Sequence, residues 1–319
     1  GGDELLEINN IYNINCMEGL KLLEDSSIDS CVTSPPYWGL RDYGIEGQLG
    51  LEDSLDKYIE NMVKVFREVK RVLKPGGTLW LNLGDSYVGG GNNRGNTKKI
   101  SSKQASNKGA TGQCAFHAKN MRKVGSLLPK QLMGIPWKVA LALQDDGWYL
   151  RSDIIWNKPN AMPESVKDRP TKSHEYIFLL SKGSRYYYDY KAIKEPCVNG
   201  DANPPRGSKG VLGQENLGRR IKHNKTEPLA TRNKRSVWTV PTAQFREAHF
   251  ATFPPKLIEP CILAGCPVGG IVLDPFMGSG TTAEVALKLQ RNFIGFELNK
   301  DYIEIAEKYR LNEVQLKII

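Results

Sequence analysis

The stretch Gly270-Ile271-Val272-Leu273-Asp274-Pro275-Phe276-Met277-Gly278-Ser279-Gly280-Thr281-Thr282 decides how the chain is read. Its first five residues read as a buried strand, and Thr281 to Leu289 has helical spacing. The glycines between them let backbone N–H groups and a helix N-terminus approach a ligand closely. No Gly-Lys-Ser/Thr follows, so this is not a triphosphate-cradling loop. Gly278, Gly280 and Ala283 instead fit the looser spacing of a nucleotide-binding turn, with Thr281 opening the helix. Glu297 stands 23 residues after Asp274, closing the next apolar run, Asn292 to Glu297. An acid at that place accepts from ribose hydroxyls. A dinucleotide cofactor needs a second such half; only 36 residues follow Ala283, and the N-terminal part has no equivalent glycine turn. One nucleoside-bearing cofactor fits better.

Upstream, strands and helices keep alternating. Ile11 to Cys16 reads as a strand, Met17 to Leu23 as a helix and Ile28 to Val32 as a strand. Asp53 or Ser54 caps a helix with apolar residues at Leu55, Ile59, Met62, Phe66, Val69 and Leu73. Lys74-Pro75-Gly76-Gly77 stops it before a strand, Thr78 to Leu83. Pro129 opens a helix that ends near Gly147, and strands follow at Trp148 to Trp156 and Glu175 to Leu180. Helices at Lys256 to Ala264 and Asp301 to Tyr309 complete the pattern. Such alternation predicts an α/β, doubly wound sheet.

The composition, 40% hydrophobic and 25% charged over 319 residues, is that of a globular chain with room for a full core. No apolar run reaches the ~20 residues that span a bilayer, and the start lacks a signal-peptide layout, so a cytoplasmic protein is expected, with no membrane partner. Gly1-Gly2 reads as a tag scar or trimmed start. Six cysteines and four histidines are scattered without metal-site spacing, so free thiols and no metal are expected. The net charge of +9 is uneven. Residues 86–127 hold eight Lys/Arg and no acid, and residues 191–236 hold eleven Lys/Arg against four acids. The rest of the chain is therefore acidic, and the two basic segments are the footprint of a polyanion partner, nucleic acid above others.

Thr33-Ser34-Pro35-Pro36-Tyr37-Trp38 follows the strand that ends at Val32. The prolines forbid a continuing ladder and hold the backbone extended. A hydroxyl, a carbonyl and two aromatic faces are thereby offered to one small volume, a grip suited to a flat polar ring. Alone, the hexapeptide is equally a proline-rich turn with a core tyrosine. The glycine-bearing residues from Trp38 to Leu51 read as a mobile loop bordering the site.

Ser34-Pro35-Pro36-Tyr37 together with Asp274 to Thr282 resembles the amino-group DNA methyltransferases that use S-adenosylmethionine. The catalytic loop first and the cofactor loop last is similar to their β subgroup, of restriction-modification type. The resemblance implies a Rossmann-like methyltransferase sheet with a smaller inserted DNA-recognition region. Residues 3–85 and 128–182 would form the catalytic half, 86–127 a basic flexible insertion, 183–240 the target-recognition region and 241–319 the cofactor half. It implies catalytic roles for Ser34, Pro35, Pro36 and Tyr37, and cofactor contacts at Asp274, Pro275, Phe276, Gly278, Ser279, Gly280, Thr281 and Glu297. Thr252 and Phe253 would lie near the methionine end, although relatives more often carry Lys before Pro254. Asn15-Cys16 occupies the place where relatives have Asp-Cys beside the adenine. Trp38, Trp156 and Lys158 would flank the target base, with Arg219, Arg220, Lys222 and Arg232 on the DNA.

The implied reaction moves a methyl group to the exocyclic amine of a base flipped out of double-stranded DNA. Ser before Pro-Pro leans towards cytosine N4 in this family, with adenine N6 as the alternative. A non-catalytic DNA-binding regulator with the same fold is the rival from another class. A companion restriction endonuclease is a further partner that the resemblance suggests; oligomeric state is not legible.

Overall fold

Apolar runs without alternation are what strands covered on both faces look like, and they build the centre of the molecule. The computed structural model describes residues 6–39, 45–89, 124–197, 231–242, 253–312 and 314. In chain order the strands are β1 (Asn10–Tyr12), β2 (Ile28–Thr33), β3 (Leu73–Leu83), β4 (Tyr149–Asn157), β5 (His174–Ser181), β6 (Glu195–Pro196), β7 (Thr231–Arg232), β8 (Val237–Thr239), β9 (Ile271–Asp274) and β10 (Asn292–Phe296). The helices are α1 (Cys16–Lys21), α2 (Leu55–Val72), α3 (Ile135–Asp145), α4 (Pro255–Gly265), α5 (Thr281–Lys288) and α6 (Lys300–Ala306), the last continued by a π-helical turn, Glu307–Leu311.

Among the described residues, eight strands pair in the order β1-β10-β9-β2-β3-β5-β4-β8, while β6 and β7 form a separate small ladder. Within the large sheet, only β5 runs against its neighbours. Seven strands therefore end at one edge of the sheet, and β5 begins there. β2 leads through α2 to β3 on one side, and β9 leads through α5 to β10 on the other. The switch point lies between β2 and β9, where open α/β sheets form their ligand crevice.

Successive side chains of a strand face opposite ways, and the core divides accordingly. Cys31, Leu79, Leu81, Phe178, Leu180 and Leu273 pack under α1, α2 and α3 with Leu20, Tyr58, Met62, Phe66, Val69, Val139 and Leu143. Val32, Trp80, Ile177, Leu179 and Val272 face the other layer, with Leu257, Ile258, Cys261 and Ile262 of α4 and Ala283, Val285 and Ala286 of α5. The doubly wound expectation is met.

Boundaries differ for local reasons. The first strand ends at Tyr12 instead of Cys16, because Asn15 caps α1: its side chain accepts from the Met17 N–H at 2.8 Å. Lys74-Pro75-Gly76-Gly77 is no separate stop, since α2 ends at Val72 and extended backbone starts at Leu73. The helix expected from Pro129 starts at Ile135. There Asp85 accepts from the Gly134 and Ile135 N–H groups, each at 3.1 Å, and so caps the helix from across the fold.

Candidate active site

At the carboxyl edge of the sheet lies a cleft of about 410 Å³, ordinary for a small-ligand site. Its first end is built from the β9–α5 loop. Gly280 sits at φ +82°, and a Cβ there would lie 2.6 Å from that of Ala306, so glycine is required where α5 meets α6. Pro275, Phe276, Gly278, Ser279 and Thr281 line the cleft. Glu297 follows β10 and closes this end. Its carboxylate accepts from the Gly278 and Asn299 N–H groups, each at 2.8 Å, one per oxygen. Each oxygen keeps a lone pair for a further donor. Burial pushes its carboxyl up from the ordinary value. Among the described residues, the buried hydroxyls of Ser279 and Thr281 have no hydrogen-bond partner. Buried polar groups need partners, so this end is shaped for a polar, hydroxyl-bearing ligand.

Asn15, Cys16 and Phe253 also line the cleft. Asn15 carries more than the expected contact: besides capping α1, its Nδ2 donates to the Gly47 carbonyl at 3.3 Å. That bond ties α1 to residues 45–49 of the glycine-bearing loop, which form part of the wall. Burial pushes the Cys16 thiol up to about 12, so it is a neutral wall atom and no nucleophile.

The second end gathers residues from four strands. Ser34, Pro35, Pro36 and Tyr37 follow β2, and Asn82 lies on β3. Trp156 and Lys158 come from the end of β4, and Glu175 from the start of β5. The Tyr58 hydroxyl of α2 donates to the Pro36 carbonyl at 2.9 Å and pins the loop. Tyr37 Oη lies 2.9 Å from Glu175 Oε2, 3.2 Å from Asn82 Oδ1 and 3.4 Å from Ser34 Oγ. Burial first, then the Glu175 charge, holds the Tyr37 phenol well above its usual range, so it keeps its proton. Lys158 pairs with Glu175 and lies 4.1 Å from the centre of the Trp156 ring. Gly84 permits this closeness, since a Cβ there would meet the Tyr37 ring at 2.6 Å.

Other expected residues fall elsewhere. Asp274 and Gly280 do not line the cleft. The Asp274 carboxylate is buried behind the loop, accepting from the Thr33 and Thr282 hydroxyls at 2.6 Å each and from the Phe276 N–H at 3.0 Å. Burial raises it to about 6 despite these donors. It is the strut that joins β2, β9 and α5. Trp38 is buried in the core and donates from Nε1 to the Glu52 carbonyl at 2.9 Å, which removes it from the base-contacting set. Trp156 is buried too, with Nε1 bonded to the Val240 carbonyl at 2.7 Å, so it meets the cleft as part of the wall. Arg232 pairs with Glu195 beside the small ladder. Thr252, Arg219, Arg220 and Lys222, and most of both basic segments, lie outside the described residues. Asn82 and Glu175 are the residues that sequence reading misses; each is a polar residue in or opening an otherwise apolar strand, and that is the available signal. Among the described residues no three metal-binding side chains converge.

Together these features define a nucleotide-type cleft, on a doubly wound sheet, that opens onto a second, aromatic and polar end. Comparison with known proteins gives the class. The family model described as DNA methylase, covering N6 and N4 amino-methyltransferases, matches residues 28–308. The Type II methyltransferase M.SmaI of Serratia marcescens is 47% identical over 91% of this chain and 87% of its own length. M.Cfr9I of Citrobacter freundii is 45% identical over 95% and 88%. The solved PvuII DNA methyltransferase (cytosine-N4-specific) shares the fold with a TM-score of 0.61 at 17% identity, over 97% of this chain and 92% of that one. The chain belongs to this family: it is a DNA amino-methyltransferase of the restriction-modification type, and DNA is its substrate.

Proposed function

We propose that the chain transfers a methyl group from S-adenosylmethionine to cytosine N4 of a base flipped from duplex DNA. One observation carries this reading: Ser34 and Tyr37 stand in the same cleft as the Gly278–Thr281 loop and Glu297. Ser before Pro-Pro supports the choice of base, as does the cytosine-N4 specificity of the PvuII methyltransferase that shares the fold.

In this reading Glu297 receives the ribose hydroxyls, and the Ser279 and Thr281 hydroxyls, without partners among the described residues, take polar atoms of the cofactor. Asn15, Cys16, Phe253 and Phe276 enclose it. The cofactor, when bound, supplies an electrophilic sulfonium methyl. An exocyclic amine is a weak nucleophile because its lone pair is delocalised into the ring. Ser34 Oγ and the Pro35 carbonyl accept its N–H groups and favour a pyramidal nitrogen. Catalysis is then positioning plus oriented dipoles. Flipping costs a few kcal/mol, and stacking on Tyr37, worth ~1–3 kcal/mol per base, offsets much of it. Lys158 and Trp156 border the base. The basic segments 86–127 and 191–236 hold phosphates, the second, within the target-recognition region 183–240, reading the sequence, so binding weakens as salt rises. The catalytic and cofactor halves keep the boundaries given above, the setting is the cytoplasm, and a companion endonuclease would read the same site.

Transfer of tritium from labelled cofactor to unmodified duplex DNA, followed by nucleoside mass spectrometry, tests the proposal. N4-methyldeoxycytidine is expected. N6-methyldeoxyadenosine would overturn the base, and no transfer would overturn the reaction.

A further inference from the structure

We propose that Glu175 is a positioning residue for methyl transfer: acting through Tyr37, it fixes the direction in which the Ser34 hydroxyl accepts. The proposal rests on the reading of Ser34 as the acceptor for the amine.

Glu175 reaches the cleft because β5 is antiparallel and starts where its neighbours end. Its carboxylate gathers three groups. Oε1 is paired with Lys158, and Oε2 accepts from Tyr37 Oη at 2.9 Å and from Asn82 Nδ2 at 3.3 Å. The Asn82 amide also donates to the Tyr176 carbonyl at 3.0 Å, which sets its orientation. Tyr37 has one hydroxyl proton and three acceptors within reach, Glu175 Oε2, Asn82 Oδ1 and Ser34 Oγ. The carboxylate paired with Lys158 is the strongest acceptor and the nearest one, so the proton lies towards Glu175. A Tyr37 lone pair is then left to accept from Ser34 Oγ–H, 3.4 Å away.

The consequence falls on the reacting atom. The two N–H groups of an exocyclic amine are donors, so a useful Ser34 must accept from them. A serine hydroxyl has one proton and two lone pairs. With its proton directed to Tyr37, both lone pairs remain for the cleft. If Glu175 is lost, the Tyr37 proton is free to turn to Ser34 Oγ or to Asn82 Oδ1. The first takes one Ser34 lone pair and turns the serine's own proton towards the cleft, against an amine N–H. The second still lets Tyr37 accept from Ser34, so the loss of rate grows with the share of the first. Lys158 anchors the carboxylate on its far side, and Gly84 gives it and the Tyr37 ring the room to meet.

The test is single-turnover methyl transfer from tritiated S-adenosylmethionine to unmodified genomic duplex DNA by the full chain. It compares wild type with Ser34→Ala, Tyr37→Phe, Glu175→Gln and the double variant Tyr37→Phe/Glu175→Gln. Cofactor affinity is read by calorimetry and DNA affinity by titration. Tyr37→Phe keeps the ring and its packing, so it reports on the hydroxyl even where Glu175→Gln impairs folding. We expect Tyr37→Phe and Glu175→Gln each to slow transfer by roughly 10–100-fold, the range of one hydrogen bond to a charged group, and Ser34→Ala by roughly 100-fold or more, with both affinities held within about twofold. The double variant should be no slower than the slower single, because both remove one connected path. Independent, multiplying losses, or wild-type rates in either single variant, would overturn the Glu175 assignment. Wild-type transfer by Ser34→Ala would instead overturn the reading beneath it. An inactive Ser34→Ala beside active Tyr37→Phe and Glu175→Gln would leave that reading standing and remove Glu175 alone.

Discussion

The two ends of the cleft are made in different ways. At the cofactor end, one short loop and the strand after it supply backbone N–H groups, small side chains and a single carboxylate, Glu297. At the amine end, residues from four separate strands meet, with Tyr37, Asn82 and Lys158 converging on Glu175. The first design shapes a pocket through backbone conformation and changes little when one exposed side chain is altered. The second depends on the direction of individual protons, so small chemical changes there should reach the reaction without disturbing binding.

Substitutions that separate the ends probe this contrast. The largest effect is expected from Tyr37→Ala, which removes both the stacking ring and the hydroxyl. Rapid-quench measurement should show transfer reduced by about 100-fold or more, with cofactor affinity unchanged. Glu297→Ala should do the reverse. Loss of its charged hydrogen bonds predicts cofactor binding weaker by roughly 10–100-fold in calorimetry, and the Gly278 and Asn299 N–H groups lose their partner. Gly84→Ala tests the crowding at the amine end, where its Cβ would meet the Tyr37 ring at 2.6 Å. Overpacking of this kind costs about 1–3 kcal/mol, so a melting temperature lowered by several degrees should accompany slower transfer. An unchanged enzyme would refute the crowding.

The last effect, on stability alone, concerns Asp274, buried behind the cofactor loop. Its folded value of about 6 exceeds the ordinary 3.8, so protonation favours the folded state. The stabilising contribution of the neutral form is fully present below the ordinary value and is lost as pH rises through about 6. Asp274→Asn abolishes that dependence. Thermal melts across pH 4 to 7 should show wild type losing up to ~3 kcal/mol relative to the variant. Parallel curves would contradict the burial argument.

The same contrast explains what can be read from the sequence. The proposed cofactor end is local: a strand, a glycine turn, a helix and an acid one strand later, all within residues 270–297, so the lining it gives the cleft is legible. At the amine end only Ser34 to Tyr37 is legible, because those residues are contiguous. Asn82 and Glu175 are far apart in sequence, and the reversal of β5 that brings Glu175 to the cleft leaves no local mark beyond a polar residue beside a buried strand. Trp38 is misplaced by sequence reading for a related reason. Extended backbone turns neighbouring side chains to opposite sides, so with Tyr37 in the cleft, Trp38 goes to the core. Asp274 reads as a cofactor contact because its place in the motif is visible, whereas the Thr33 and Thr282 hydroxyls that engage it come from two other elements.

Whether one cleft joins a cofactor pocket to an amine acceptor at Ser34 is tested most directly by a paired measurement on Ser34→Ala. Calorimetry with S-adenosylmethionine and tritium transfer to duplex DNA would be run on the same preparation. Cofactor affinity is expected within about twofold of wild type, and transfer slower by roughly 100-fold or more. Wild-type transfer by this variant, or loss of cofactor binding together with transfer, would contradict the joined cleft.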